Sequence, residues 1–198
     1  MKNLDNILGE LGIEKNITLD DIPNIDLYMD QVIQLFEGKF DSSKRNEDEK
    51  VLTKTMINNY AKGKLFFPIK SKKYSKEHLI LLALIYQLKG SLSIGDVKAT
   101  LTIINDKLLN NELDLAQFYN SYLSLSSSNA EHFTEEIQIR ARGVKEQVAK
   151  MSSDSEELEQ VMMIASMVNL SNMYRRAAEK MIDQLPQKEK ESDRPKGK

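Results

Sequence analysis

The chain of 198 residues contains no cysteine, which excludes disulfides, thiolate nucleophiles and cysteine-based zinc sites. Its two histidines, His78 and His132, are too few for a histidine-rich metal centre. With four prolines and eight glycines, little interrupts regular structure, and the glycines are too scattered to form a glycine-rich phosphate loop. The longest unbroken apolar run, Leu79 to Tyr86, falls well short of the roughly 18 residues that span a bilayer. The segment Met1 to Asp5 lacks the apolar core of a secretion signal. These absences lead to the expectation of a cytoplasmic, non-membrane protein without metal, cofactor or catalytic residues.

What is present is charge segregation. The formal charge is only −2, from 28 basic and 30 acidic residues. Between Lys50 and Lys76, however, lie eight lysines (50, 54, 62, 64, 70, 72, 73 and 76) and no acid. The remainder of the chain therefore holds 20 basic and 30 acidic residues. A separation of this kind marks a local anion-binding surface rather than a generally soluble exterior.

The apolar pattern repeats at helical period along most of the chain. Leu4, Ile7, Leu8 and Leu11 form a short amphipathic stretch ending at Gly12. Ile25, Tyr28, Met29, Val32, Phe36 and Phe40 share one helical face, and Asp41 to Lys50 connects it onward. Thr53 is placed to cap a helix with Met56, Ile57, Tyr60 and Ala61 on its inner side. Thr55, Asn58, Asn59 and Lys62 then fall on the opposite arc, at about 100° per residue. Such short polar side chains suit a groove-reading face, because asparagine can pair bidentately with adenine and lysine reaches guanine or phosphate. The plainer reading is an ordinary solvated helix surface.

Leu65 to Ile69 is expected to break that helix at Pro68, and Lys70 to Tyr74 to run on as a short extended basic segment. Ser75 can cap a buried helix from Leu79 to Leu88, and Ser93 with Asp96 a further one through Val97, Leu101, Ile104 and Leu108. In the second half, Leu115 to Tyr122 predicts a short helix stopped by the serines at 124–128. Ser128 with Glu131, then Ser153 with Glu156, would start two more helices forming an antiparallel hairpin. Val161 to Val168 is too apolar for one face of an isolated hairpin, so it calls for further helices or a second subunit. Its methionines suit core filling, with an adaptable apolar cavity as the competing use. From Pro186 onward there is no apolar anchor, and disorder is expected.

The ordered series Leu52 to Tyr60, Leu65, Pro68, Tyr74 to Leu79 and Leu92-Ser93-Ile94 resembles the DNA-binding domain of MerR-type transcription regulators. A closer resemblance is to the bacterial family called domain of unknown function 1836. It is carried by Ile25 to Gln31, Leu52 to Tyr60, Lys73 to His78, Ile85-Tyr86 and Leu88-Lys89. The MerR-type resemblance implies that Lys54, Thr55, Asn58 and Asn59 face bases or phosphates, that Tyr60 touches the backbone, and that Lys72 and Lys73 are the phosphate contacts of a wing. It departs from that pattern in the long connection at 41–50, in a shorter wing, and in lysine or asparagine replacing arginine.

The expectation is an all-α protein. An arm at 1–20 precedes a winged helix-turn-helix-like domain at 21–108, a helical dimerisation or effector module at 109–185, and a tail at 186–198. The expected function is a homodimeric regulator binding double-stranded DNA through Lys54, Thr55, Asn58, Asn59, Tyr60, Lys62, Lys64, Lys70, Lys72 and Lys73. The rival is a protein-interaction adaptor on the same scaffold. No particular effector is implied.

Overall fold

A computed structural model of the chain describes residues 4–151 and 155–186. The architecture is all-α apart from one small ribbon. In chain order it has α1 (Leu4–Glu10), β1 (Leu27–Tyr28), α2 (Met29–Phe40) with a 3-10 turn (Asp41–Ser43), and α3 (Lys54–Lys62). There follow β2 (Lys73–Tyr74), α4 (Lys76–Leu88), α5 (Ile94–Leu109), α6 (Leu115–Lys150) and α7 (Glu156–Asp183). The two strands pair antiparallel, Leu27 with Tyr74 and Tyr28 with Lys73. Ile25 and Tyr28 therefore lie ahead of α2 rather than on its face, and both are exposed.

Helix α4 is the centre. From His78 to Ile85 every residue is buried, as its unbroken apolar run requires, because a helix apolar on all sides needs neighbours on all sides. Val32, Phe36 and Phe40 of α2, Ile57 and Tyr60 of α3, and Val97 and Leu101 of α5 close around it. This core begins at Ile17 and continues past residue 108 to Leu115 and Tyr119 of α6. The phenol of Tyr119 donates to the carbonyl of Ile17 at 2.6 Å, joining the two ends of the core.

The serines at 124–128 do not interrupt α6, which runs 36 residues without a break. Serine disfavours a helix interior by only about 0.5 kcal/mol per residue, and packing overrides that. Ser121 and Ser124 donate back to the carbonyls of Gln117 and Asn120. The amide of Asn16 donates to Ser126 at 3.0 Å, holding the middle of α6 against the first core.

A second, smaller core lies farther along α6. Ile137, Val144 and Val148 meet Met163 of α7, with Leu4, Leu8, Met162 and Met167 packed at its edge. These methionines are thus engaged within the chain, but the rest of that segment is not covered. Val161, Ile164 and Val168 remain 62%, 51% and 55% exposed. Ser155 caps α7 by accepting from the Leu158 N–H; Ser153, and the tail from 187, lie outside the described residues.

One buried polar side chain ties the first core to the segment that leaves α3. The Asn105 amide donates to the carbonyls of Leu65 (3.0 Å) and Leu101 (2.9 Å) and accepts from the N–H of Phe67 (3.1 Å). Replacing it by leucine leaves the buried Leu65 carbonyl and the partly buried Phe67 N–H without partners, a fully buried group being worth about 1–3 kcal/mol. Urea unfolding of Asn105→Leu is expected to show a loss of about 2–4 kcal/mol, and a loss below about 0.5 kcal/mol, the scatter of surface substitutions, would contradict this account.

Candidate nucleic-acid interface

The acid-free stretch builds three consecutive pieces: α3, its exit, and a hairpin. Thr53 caps α3, its hydroxyl accepting from the Met56 N–H at 3.2 Å. Ile57 and Tyr60 turn inward, and Thr55, Asn58, Asn59 and Lys62 turn outward into solvent. Tyr60 is a correction to the expected contact set. At 7% exposure its ring belongs to the core, and burial raises the phenol's pKa. Ala61, expected inside, is exposed at the edge of the helix.

Helix α3 ends earlier than Pro68 and by a different device. The Leu65 N–H donates to the Tyr60 carbonyl and the Lys64 N–H to the Ala61 carbonyl, both at 3.0 Å. This reciprocal pair is the Schellman motif, which requires a left-handed residue at Lys64. Lys64 indeed has φ 57°. Glycine normally takes that position, because the left-handed region costs a residue with a Cβ roughly 1–2 kcal/mol.

The hairpin repeats the pattern. The Lys73 N–H donates to the Lys70 carbonyl at 2.9 Å, and the two central residues, Ser71 and Lys72, have φ 51° and 59°. Positive φ at both central positions is the type I′ turn, which fits the twist of paired strands and ordinarily selects Asn-Gly. The expected extended run is therefore a tight turn with Lys72 near its tip. Among the described residues, the non-glycine positions with positive φ are Lys64, Ser71, Lys72 and Asn111. Three of the four fall inside the lysine-rich stretch.

The lysines differ in their partners. Lys54 is paired with Asp30 at 2.8 Å. The ammonium of Lys73 lies over the Tyr28 ring, 5.1 Å from its centre. Lys62, Lys64, Lys70 and Lys72 are exposed and form no ion pair among the described residues. Their charge is left to solvent and counterions.

Two buried side chains that the pattern of charges did not single out hold these pieces in place. Asn105 clamps the α3 exit from α5, as described above. Its trace in the sequence is a polar residue four positions after Leu101, in the middle of an apolar seam. His78 works from α4. Its Nδ1 accepts from the Ser75 N–H at 3.1 Å, and its Nε2–H donates to the Phe67 carbonyl at 3.1 Å. Both contacts fit the neutral ring with its proton on Nε2. It caps the helix, but it is buried rather than on the surface. A third clamp, Lys89, donates to the Val51 carbonyl at 3.1 Å where the chain enters α3.

Burial lowers the pKa of His78, against the opposing pull of the Phe67 carbonyl and of the Glu77 and Asp26 carboxylates. The unfolded chain, with an imidazole near 6.5, thus takes up a proton before the folded one does. Stability is unaffected by this group above that pH and falls as the pH drops from about 6.5 toward the lowered folded value. Denaturant midpoints measured between pH 7.5 and 5 should show this decline, and it should flatten in His78→Gln. An equal decline in that variant would assign the effect elsewhere.

No group of three or more histidine, aspartate or glutamate residues is arranged to hold a metal among the described residues. No helix is long and apolar enough to cross a membrane among those residues. A family model described as a domain of unknown function (DUF1836) matches residues 17–122. No curated protein and no solved structure matches the chain. The matched span opens at Ile17 and closes just after Tyr119, the two residues whose hydrogen bond joins the ends of the first core. With more than half of its length in that match, the chain belongs to the DUF1836 family.

Proposed function

We propose that residues 50–76 form a contact surface for the phosphate backbone of double-stranded DNA, and that the protein is a non-catalytic, cytoplasmic transcription regulator. The observation that carries this reading is the choice of lysine at two left-handed backbone positions, Lys64 and Lys72. Glycine or asparagine would serve the backbone better at both. Strain that the rest of the fold must support tends to gather where a side chain has a task. Exposed, unpaired cations on a Schellman turn and a hairpin, following a helix that turns Thr55, Asn58 and Asn59 outward, suit a ligand that is a line of phosphates with base edges between them.

Lys62, Lys64, Lys70 and Lys72 are the principal contacts in this reading. Lys54 and Lys73 contribute less, being already held by Asp30 and by the Tyr28 ring. Tyr60 acts through the packing of α3. The adaptor alternative is favoured by the long connection at 41–53 and by the acidic remainder of the chain.

The strain argument supplies its own test. Lys64→Gly should stabilise the fold, by about 0.5 kcal/mol once glycine's unfolded-state entropy is set against the relief of strain. Lys72→Asn should leave stability near its original value, since asparagine tolerates the left-handed region. The double variant is thus expected to fold at least as well and to bind mixed-sequence duplex more weakly, with the log–log salt slope reduced by about 0.9 per lost contact. Undiminished affinity in a well-folded double variant would leave the adaptor reading standing.

Two-fold pairing belongs to the same proposal. Val161, Ile164 and Val168 lie along one uncovered strip of α7, and two copies joined there would present two basic surfaces to successive half-sites. Sedimentation should give a dimer at micromolar concentration that Val161→Glu with Val168→Glu converts to monomer. A wild-type monomer under those conditions would remove the dimer from the account.

A further inference from the structure

The segment that leaves α3 shares an open groove of about 1020 Å³ with α5. From α5 come Lys98, Thr102, Asn105, Asp106 and Leu109. Their spacing of i, i+4, i+7, i+8 and i+11 is one face of a helix, so α5 turns a whole side to the groove. From the other side come Lys64 and the apolar residues Phe67, Pro68 and Ile69. This lining is held in place, because the Phe67 backbone is bonded to Asn105 and to His78.

The charges that line the groove are not balanced. Lys64 and Lys98 are exposed and form no ion pair among the described residues. The acid on the α5 side, Asp106, is already engaged. The Thr102 hydroxyl donates to the Lys98 carbonyl at 2.8 Å, and the Asn105 amide is spent on backbone groups. What is left unmatched is positive charge at two lysines from different elements, with apolar surface in the same groove. Other lysines outside residues 50–76 are placed differently. Lys39, Lys44, Lys107 and Lys180 each hold a carboxylate.

We infer that the DNA backbone crosses this groove, with phosphates at Lys64 and Lys98 and a sugar on the Phe67–Ile69 lining. The interface then extends beyond residues 50–76 onto α5. A nucleic-acid strand alternates charged phosphates with sugars that present a carbon face, and contacts to both fix how a protein sits on the duplex. A simple anion would satisfy the lysines and leave the apolar lining wet. Lys98 is hidden from the charge pattern because Asp96 and Asp106 stand near it in sequence. The inference rests on the DNA reading and names a contact that this reading did not contain.

Fluorescence anisotropy of a labelled mixed-sequence duplex, titrated with the full chain over a range of salt, tests it. Lys98→Gln should weaken binding and reduce the log–log salt slope by about 0.9, the share of one phosphate contact. Lys98→Arg should keep the wild-type slope. Lys107→Gln removes a charge from the same helix outside the groove, and it should leave affinity and slope unchanged. Circular dichroism of each variant checks that α5 is intact. If the wild type binds with a steep salt dependence while Lys98→Gln matches it, or while Lys107→Gln loses as much, the crossing of the groove is refuted and the lysine-rich surface stands. An equal loss in Lys98→Arg and Lys98→Gln would also refute it. A wild type that binds no duplex at low salt would remove the DNA reading and this inference together.

Discussion

Past the Leu65 N–H, which still bonds the Tyr60 carbonyl, the Leu65 carbonyl and the Phe67 N–H and carbonyl find no partner in α3, and what the lysine-rich stretch displays depends on how that short run is satisfied. Two buried side chains from different helices do it. Asn105 of α5 takes the Leu65 carbonyl and the Phe67 N–H, and His78 of α4 takes the Phe67 carbonyl and the Ser75 N–H. The exit of α3, the approach to the hairpin and the start of α4 are thereby fixed to the most deeply buried part of the molecule. An unsatisfied buried polar group costs more than a satisfied one gains. The arrangement therefore locks geometry more than it adds stability.

On this rigid base the chain can carry unfavourable local choices. Lys64 closes a Schellman motif, and Lys72 takes a central position of a type I′ turn. Each holds a cation out from the backbone at a point where the chain reverses direction. Lysine serves there as a flexible point charge rather than as the planar fork of arginine. A point charge on a flexible stem suits a polyanion without demanding one register.

Much of the first core could be read directly from residue spacing. The caps at Thr53 and Ser93 and the buried run of α4 declare themselves, because each depends on residues adjacent in sequence. The α6–α7 hairpin was legible for the same reason. The end of α3 was not. Proline is a conspicuous breaker, but the helix stops at a left-handed lysine whose conformation nothing local announces. The continuity of α6 was hidden too, since the small cost of its serines is outweighed by packing on either side and by the Asn16–Ser126 bond, both set by residues far away in sequence. For the candidate site, the outward residues of α3 and the hairpin lysines followed from charge and helical phase, and that phase also put Tyr60 inside. Asn105 and His78 act across 11 to 40 residues of sequence, beyond the reach of any local pattern.

The central claim is that the strained lysine turns, with the outer arc of α3, meet the phosphate backbone. Backbone amide chemical shifts recorded while a short duplex is added at low salt address it most directly. The account predicts changes concentrated at Thr55, Asn58, Lys62, Lys64, Ser71 and Lys72, receding as salt is raised, with α7 unaffected. Changes confined to α6 and α7, or none at any duplex concentration, would contradict it.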